Sequence, residues 1–275
     1  MTSSLQFTLG REAEPMSMRS TGAVTLKRAS EIDRMRGAGQ ILAGILDVLH
    51  AELRPGVTTG DLDAIAERMI RDAGAVPSFK GYGSNPPFPG SICASINDEV
   101  VHGIPSPRRR LAEGDLVSID IGCILDGWHA DCARTWTIGP VPGEVSTLVD
   151  ATRRGMEAGI AAALPGNRLG DVGHAIETVA HRHGYGIVRP FVGHGIGQSM
   201  HEDPQVPNYG RPGTGLRIEA GMCFAIEPMF TLGRDDVFVA DDNWTVRTVD
   251  GSLAAHFENT IAVTELGPEV LTQRP

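Results

Sequence analysis

No uninterrupted apolar run in these 275 residues reaches the roughly 20 that a membrane-crossing helix needs. The opening stretch MTSSLQFTLGREAEPMS also lacks the apolar core of a secretory leader, so a cytoplasmic chain with no membrane partner is expected. Cysteine is scarce. Cys93, Cys123, Cys132 and Cys223 form no C-x-x-C pair and sit in apolar surroundings, which reads as buried free thiols rather than zinc knuckles or bridges. Positive charge is short as well: the formal net charge is -10, and the only basic run, Arg108-Arg109-Arg110, follows Pro107 in a turn-like segment and reads as a solvated loop. Direct nucleic-acid binding, which depends on clustered Lys and Arg, is therefore not expected.

What is present is an ordinary globular composition, 41% hydrophobic and 21% charged, long enough to bury a substantial core. Residues 1–25 read as a flexible extension and 26–275 as one domain, with halves of roughly 26–150 and 151–275. Ser30 with Asp33 predicts a helix start, followed by the stripe Ile32, Met35, Ile41, Leu42, Ile45, Leu46 and Leu49. Thr59-Gly60-Asp61 predicts a second helix carrying Leu62, Ile65, Met69 and Ile70. The segments PGVTTGDLDAIAE at 55–67 and PGNRLGDVGHAIE at 165–177 match at Pro, Gly, Gly, Asp and Glu, and Gly74 and Gly184 keep the same offset of 110. Two similar α+β halves around a shared sheet are the economical reading.

The stretch SIDIGCILDGWHADCARTW, 118–136, predicts a hairpin turning at Asp126-Gly127. Counting outward pairs Leu125 with Trp128, Asp120 with Ala133 and Gly122 with Asp131. One face is apolar, broken only by Arg134. The other carries both Asp120 and Asp131 as diagonal neighbours, whose Cα atoms would lie about 7–8 Å apart. Two anions so close repel unless a proton or a cation lies between them.

Two further acids are planted in strand-like sequence. In MCFAIEPMF, Glu227 shares a face with Cys223 and Ala225; in HFENTIAVTE, Glu258 shares one with His256 and Thr260. Lys is almost absent from this half, so a metal is the natural counter-charge. Between them lies VGHGIGQSMHEDP with His194 and His201. Its glycines permit close backbone approach around His194, but G-H-G-I-G lacks the spacing of a dinucleotide loop. Four carboxylates and an imidazole suit two divalent ions sharing carboxylates and a water, with oxygen-rich donors favouring Mn, Fe, Co or Mg. Such a pair can acidify a bridging water and hold a carbonyl, which makes hydrolysis the natural chemistry.

As a set, NDEVVHGIP, DLVSIDIGCILDGWHADCARTW, GHGIGQSMHEDPQVPN, CFAIEPM and HFENTIAVT resemble the type I methionine aminopeptidases, from about Leu26 to the end of the chain. The resemblance implies the pita-bread fold: two pseudo-symmetric α+β halves around a curved antiparallel sheet. It implies that Asp120, Asp131, His194, Glu227 and Glu258 ligate two divalent metal ions drawn from Mn, Fe, Co or Zn, with Asp131 and Glu258 bridging. It also implies that Glu227 assists proton transfer from a metal-bound water, and that His102 and His201 contact the scissile peptide. A methionine pocket carries over to Phe79, Tyr82, Phe88, Cys93, Met200 and Trp244, with Met200 in place of the usual aromatic. The family commonly reads G-Y-H-G-Y-P where this chain has GYGSNPPFPG, so about three residues are inserted at the pocket rim within 83–87.

No Cys-rich N-terminal region and no type II insertion appears, and the short leading segment disfavours the Xaa-Pro peptidases that share these ligands. The expected activity is removal of the initiator methionine from nascent proteins with a small second residue, by attack of a hydroxide held on the metal pair. An Xaa-Pro peptidase of the same fold and a noncatalytic peptide-binding module are the alternatives. The expected partners are the N-termini of nascent polypeptides, with docking on the ribosome left open, and the protein is expected to be a monomer.

Overall fold

The structure, a computed structural model, describes residues 24–83 and 86–274. The expected extension at 1–25 falls outside the described residues as far as residue 23. Val24 packs at the edge of an apolar cluster, and Thr25 hydrogen-bonds to Glu202.

Among the described residues there are four helices: α1 (Ala29–Glu52), α2 (Thr59–Asp72), α3 (Gly143–Ala162) and α4 (Leu169–His183). Helix α1 does not start on the expected Ser30/Asp33 pair. The backbone N–H of Arg28 donates to the Glu31 carboxylate at 2.8 Å, satisfying an amide that the helix leaves open, and Ser30 is already helical. The predicted stripe holds, with Ile32, Met35, Leu42, Ile45, Leu46 and Leu49 buried and Ile41 partly so. Helix α2 is capped by Thr58, whose Oγ1 accepts from Asp61 N at 3.0 Å while Asp61 Oδ2 accepts the Thr58 N–H at 3.0 Å.

The sequence echo is an echo in space. Helices α2 and α4 begin at equivalent positions, with Asp61 and Asp171 accepting the backbone N–H three residues earlier. The preceding turn glycines have matching backbones, φ +93° at Gly56 and +92° at Gly166, and the closing glycines match too, +76° at Gly74 and +72° at Gly184. Only glycine adopts this region without strain, which is why those letters recur.

The principal sheet has nine strands. Along its path lie Val76–Pro77, Leu116–Leu125, Trp128–Thr137, Glu258–Thr264, Cys223–Ile226, Gly193–Gly195 and Glu202–Val206, with Ile92–Ile96 and Gly267–Val270 attached to the side. Every pairing is antiparallel. One cluster packs Leu42, Ile45, Leu62 and Ile70 of α1 and α2 against Ile119, Ile121 and Cys132 of the first half. Its counterpart packs Leu148, Met156, Val172 and Ile176 of α3 and α4 against Phe224, Ile226, Ile261 and Val263. Each strand thus spends its apolar face on a helix pair and leaves the alternate side chains to the other face.

Two small sheets flank this one, each of three strands. The first contains Ala254–His256, which shows that HFENTIAVTE is not one continuous strand. Phe257 interrupts it, and Glu258–Thr264 belongs to the principal sheet. All four cysteines are buried free thiols. The Arg108–Arg110 run lies on an exposed loop, where Arg109 faces Glu99 at 3.6 Å and Arg110 donates to Gly56 O. Among the described residues, no helix is long and apolar enough to cross a membrane.

Candidate metal centre

The hairpin has the register that its turn dictates. Asp126 and Gly127 take φ of +51° and +81°, the paired positive values of a two-residue turn that matches strand twist. Asp120 pairs with Ala133, and Gly122 with Asp131. Adjacent pairings bring in the other acids. Glu258 also lies opposite Ala133, and Ala225, two residues before Glu227, lies opposite both Thr260 and His194. Five neighbouring strands therefore deliver Asp120, Asp131, Glu258, Glu227 and His194 to one concave face. Arg134, which breaks the apolar face of the hairpin, ties the seam between halves by donating to Glu258 O and to Asn259 Oδ1 at 2.7 Å.

One carboxylate oxygen each from Asp131 and Glu258 and one imidazole nitrogen of His194 lie within 4.8 Å of one another. Asp120 lines the same cleft, and Glu227 Oε1 lies 3.5 Å from His194 Nε2. His194 Nδ1 is 2.8 Å from Gly195 O, so the ring proton sits on Nδ1 and Nε2 presents a lone pair to the Glu227 carboxylate. Two acceptors facing each other at that distance call for a cation between them. Glycine makes the approach possible: a Cβ on Gly193 would lie 2.4 Å from Ala225 O and one on Gly195 2.3 Å from Asp203 O.

Electrostatics say the same. Burial pushes the Asp120 carboxyl up to about 7. Burial raises Asp131 well above the carboxylate range, with Glu258 and Asp120 adding repulsion, and it raises Glu227 and Glu258 in the same way. Burial depresses His194 to about 4, so the ring is neutral and able to ligate. Asp120 Oδ1, Asp131 Oδ1, Glu258 Oε1 and His256 Nε2 are buried with no hydrogen-bond partner. Orphaned acceptors of this kind are costly unless a cation meets them, so the donor set fits hard or borderline divalent ions.

The centre floors a cleft of about 930 Å³, open mouth included. Phe79, Phe88, Cys93 and Met200 form one apolar cluster with Tyr82 and Trp244 at its edge, so the structure assembles all six residues expected of a pocket. The rim segment is cross-linked: Trp244 Nε1 donates to Pro86 O at 3.0 Å, and Phe88 N donates to Tyr82 O at 2.8 Å. Of the expected insertion at 83–87, residues 84 and 85 lie outside the described residues.

His102 and His201 both line the cleft. His102 has φ +59°, a value that a non-glycine residue holds only when its surroundings impose it; its ring is edge-on to Phe191. Burial lowers it to about 4. His201 is lowered to about 2 by burial and by neighbouring imidazoles, and its Nδ1 lies 2.6 Å from Tyr82 Oη. Cys93 faces Asp120 across the sheet, and burial with the nearby acids keeps its thiol protonated.

Sequence reasoning placed His256 on the Glu258 face but gave it no role. It is 1% exposed, and its Nε2 lies 3.7 Å from Glu227 Oε2. The two-residue spacing in H-F-E is the only local signal, and the interruption of the strand at Phe257 obscures it. Phe191, three residues before His194, carried no signal at all.

The model of metallopeptidase family M24 matches residues 33–265. The chain belongs to that family. It is 51% identical to a methionine aminopeptidase of Clostridium acetobutylicum over 249 residues, covering 90% of this chain and 98% of the relative. Identity is also 51% to methionine aminopeptidase 1 of Mycobacterium tuberculosis, over 93% of this chain and 97% of that one. The crystal structure of the Thermotoga maritima methionine aminopeptidase superposes with a TM-score of 0.89 at 42% identity, covering 92% of this chain and all of that one, 100%. The fold is the pita-bread arrangement, and family membership implies divalent metal ions.

GDLVSID at 114–120 and GMCFAIE at 221–227 each begin on a left-handed glycine, φ +90° and +93°, and end on an acid of the centre.

Metal loading at pH 6 is expected to release protons. Asp120 keeps its proton below about 7 in the metal-free fold, whereas His194, neutral down to about 4, has none to give. Apparent affinity therefore weakens as pH falls below that value. Calorimetric titration in two buffers of different ionisation heat reads the release, and equal heats in both would contradict it.

Proposed function

We propose that this chain is an aminopeptidase that removes N-terminal methionine from polypeptides whose second residue is small. The observation that carries the reading is the juxtaposition, in one cleft, of an apolar pocket with four acids and a neutral imidazole. The likeness to methionine aminopeptidases at 51% identity supports the choice of side chain.

Asp120, Asp131, His194, Glu227 and Glu258 would hold two divalent ions; Mn, Fe, Co and Zn all suit the donors. When bound, the ions supply a Lewis acid for the scissile carbonyl and an acidified water. The protein supplies the rest. Glu227, which nearby cations would hold as a carboxylate, would accept a proton from the attacking water and pass it to the leaving amine. Tyr82, which burial keeps protonated, has its Oη 2.6 Å from His201 Nδ1, and a phenol that donates there leaves the single proton of the neutral ring on Nε2. His201 and His102 then act as fixed N–H donors for the scissile peptide and the oxyanion that develops from it. Phe79, Phe88, Cys93, Met200 and Trp244 enclose the methionine side chain, and with Tyr82 they exclude water from it.

On this reading the substrates are newly made chains met in the cytoplasm, at or near the ribosome, by a monomer. Metal-loaded protein should release methionine from Met-Ala-Ser and spare both Met-Lys-Ser and an Xaa-Pro peptide. Release from neither Met peptide would defeat the assignment, equal release from both would defeat the small-residue rule, and preference for the Xaa-Pro peptide would turn the reading toward proline-directed cleavage.

A further inference from the structure

The chain has two lysines, Lys27 and Lys80, and Lys27 is buried, its side chain only 4% exposed. Its Nζ donates to Glu202 Oε2 at 2.7 Å and to Thr25 Oγ1 at 2.6 Å, and Thr25 Oγ1 donates to the same Glu202 oxygen at 2.9 Å. The other oxygen, Glu202 Oε1, accepts the Ser199 N–H at 3.1 Å. One carboxylate thus closes a loop whose two intervening residues, Met200 and His201, are those that enter the cleft.

The base of this loop is fixed independently. Gly197 N donates to Ser199 O at 3.1 Å, and His129 N donates to Gly197 O at 2.8 Å. Lys27 is anchored from its own side, its backbone N–H donating to Gly221 O at 2.7 Å. There is no slack between the parts: a Cβ on Gly197 would lie 2.7 Å from Lys27 Cε and 2.6 Å from Glu202 Oε1. Without the ammonium, a half-buried carboxylate loses its cation and relaxes toward water, drawing Ser199 and the two cleft residues with it. Small displacements of a donor at the reacting centre cost far more in rate than in binding.

We propose that Lys27, acting through Glu202, is a positioning residue that holds the His201 imidazole against the scissile peptide; this rests on the role given to His201 above. Lys27, just before α1, then supports the catalytic apparatus although it does not line the cleft.

A double-mutant cycle of Lys27→Met and His201→Ala on Met-Ala-Ser tests it, with the metal-induced rise in melting temperature confirming that each variant folds and loads. Lys27→Met is expected to lower kcat about 10- to 100-fold and to add nothing in the His201→Ala background. Unchanged kcat in Lys27→Met, or the same fold-loss repeated in full without His201, overturns the inference while leaving the function intact. A fully active His201→Ala removes the role of His201, and the inference falls with it. Should Lys27→Met fail the folding check, Thr25→Val at an exposed position relaxes the same carboxylate; it should show a smaller loss that also vanishes without His201, and a loss that persists there overturns the inference.

Discussion

Asp131→Asn is expected to lower kcat/KM for methionine release by at least about 10³-fold and to abolish the thermal stabilisation by added metal, while the protein still folds. The carboxylate of Asp131 lies within the acidic cluster, repelled by Glu258 and Asp120 and grouped with His194 and Glu258, their ligand atoms within 4.8 Å of one another. Asparagine has nearly the same shape but carries no charge, and its amide hydrogens would face the ions. The backbone of residue 131 keeps its place, because Thr260 Oγ1 donates to Asp131 O at 2.8 Å and accepts the Asp131 N–H at 2.9 Å, bonds that the substitution leaves alone. Steady-state kinetics with melting curves at rising metal concentration check both halves of the expectation. A variant that remains active and still responds to metal would remove Asp131 from the ligand set.

Asp120→Asn should do the opposite to the stability of the metal-free protein and raise its melting temperature at pH 8 by about 5–10 °C. Burial moves this carboxyl from the ordinary 3.8 up to about 7. The unfolded chain therefore releases the proton first. Stability that is present below 3.8 is lost as pH rises through about 7. A displacement of that size corresponds to about 4 kcal/mol at pH 8, an order-of-magnitude figure that asparagine would largely relieve. At pH 5 the gain should shrink to less than half. With metal in excess the order reverses, because the ion stabilises the native carboxylate by mass action. Differential scanning calorimetry of stripped and loaded samples reads all three conditions. A lower melting temperature for the stripped variant at pH 8 would mean that the wild-type charge is already compensated without metal. Stability is thus given up at a site built for ions, as functional sites commonly require.

How far the letters alone reach can be judged residue by residue. The hairpin register was legible because Asp126-Gly127 admits few turn geometries, and period-two alternation then fixes which side each aspartate takes. The duplication was legible because glycines with left-handed backbones leave a mark at a fixed offset. The start of α1 was misplaced by two residues: a glutamate reaching back to the amide of an arginine is a cap that residue preferences do not favour. The interruption at Phe257 was invisible, since alternation continues through it and only tertiary pairing reveals that His256 and Glu258 lie in different sheets. The left-handed backbone of His102, the Tyr82 to His201 bond and the Lys27 to Glu202 pair were likewise hidden. Each depends on contacts across the chain, 119 residues apart for Tyr82 and His201 and 175 for Lys27 and Glu202.

The seam where Trp128–Thr137 meets Glu258–Thr264 joins the two halves through few paired residues, supplemented by Arg134 and Thr260. That joint is also the line along which the acids converge. Cohesion and the cleft are therefore joined here: the first half brings Asp120 and Asp131 and the second brings His194, Glu227 and Glu258, so neither alone assembles the five clustered groups.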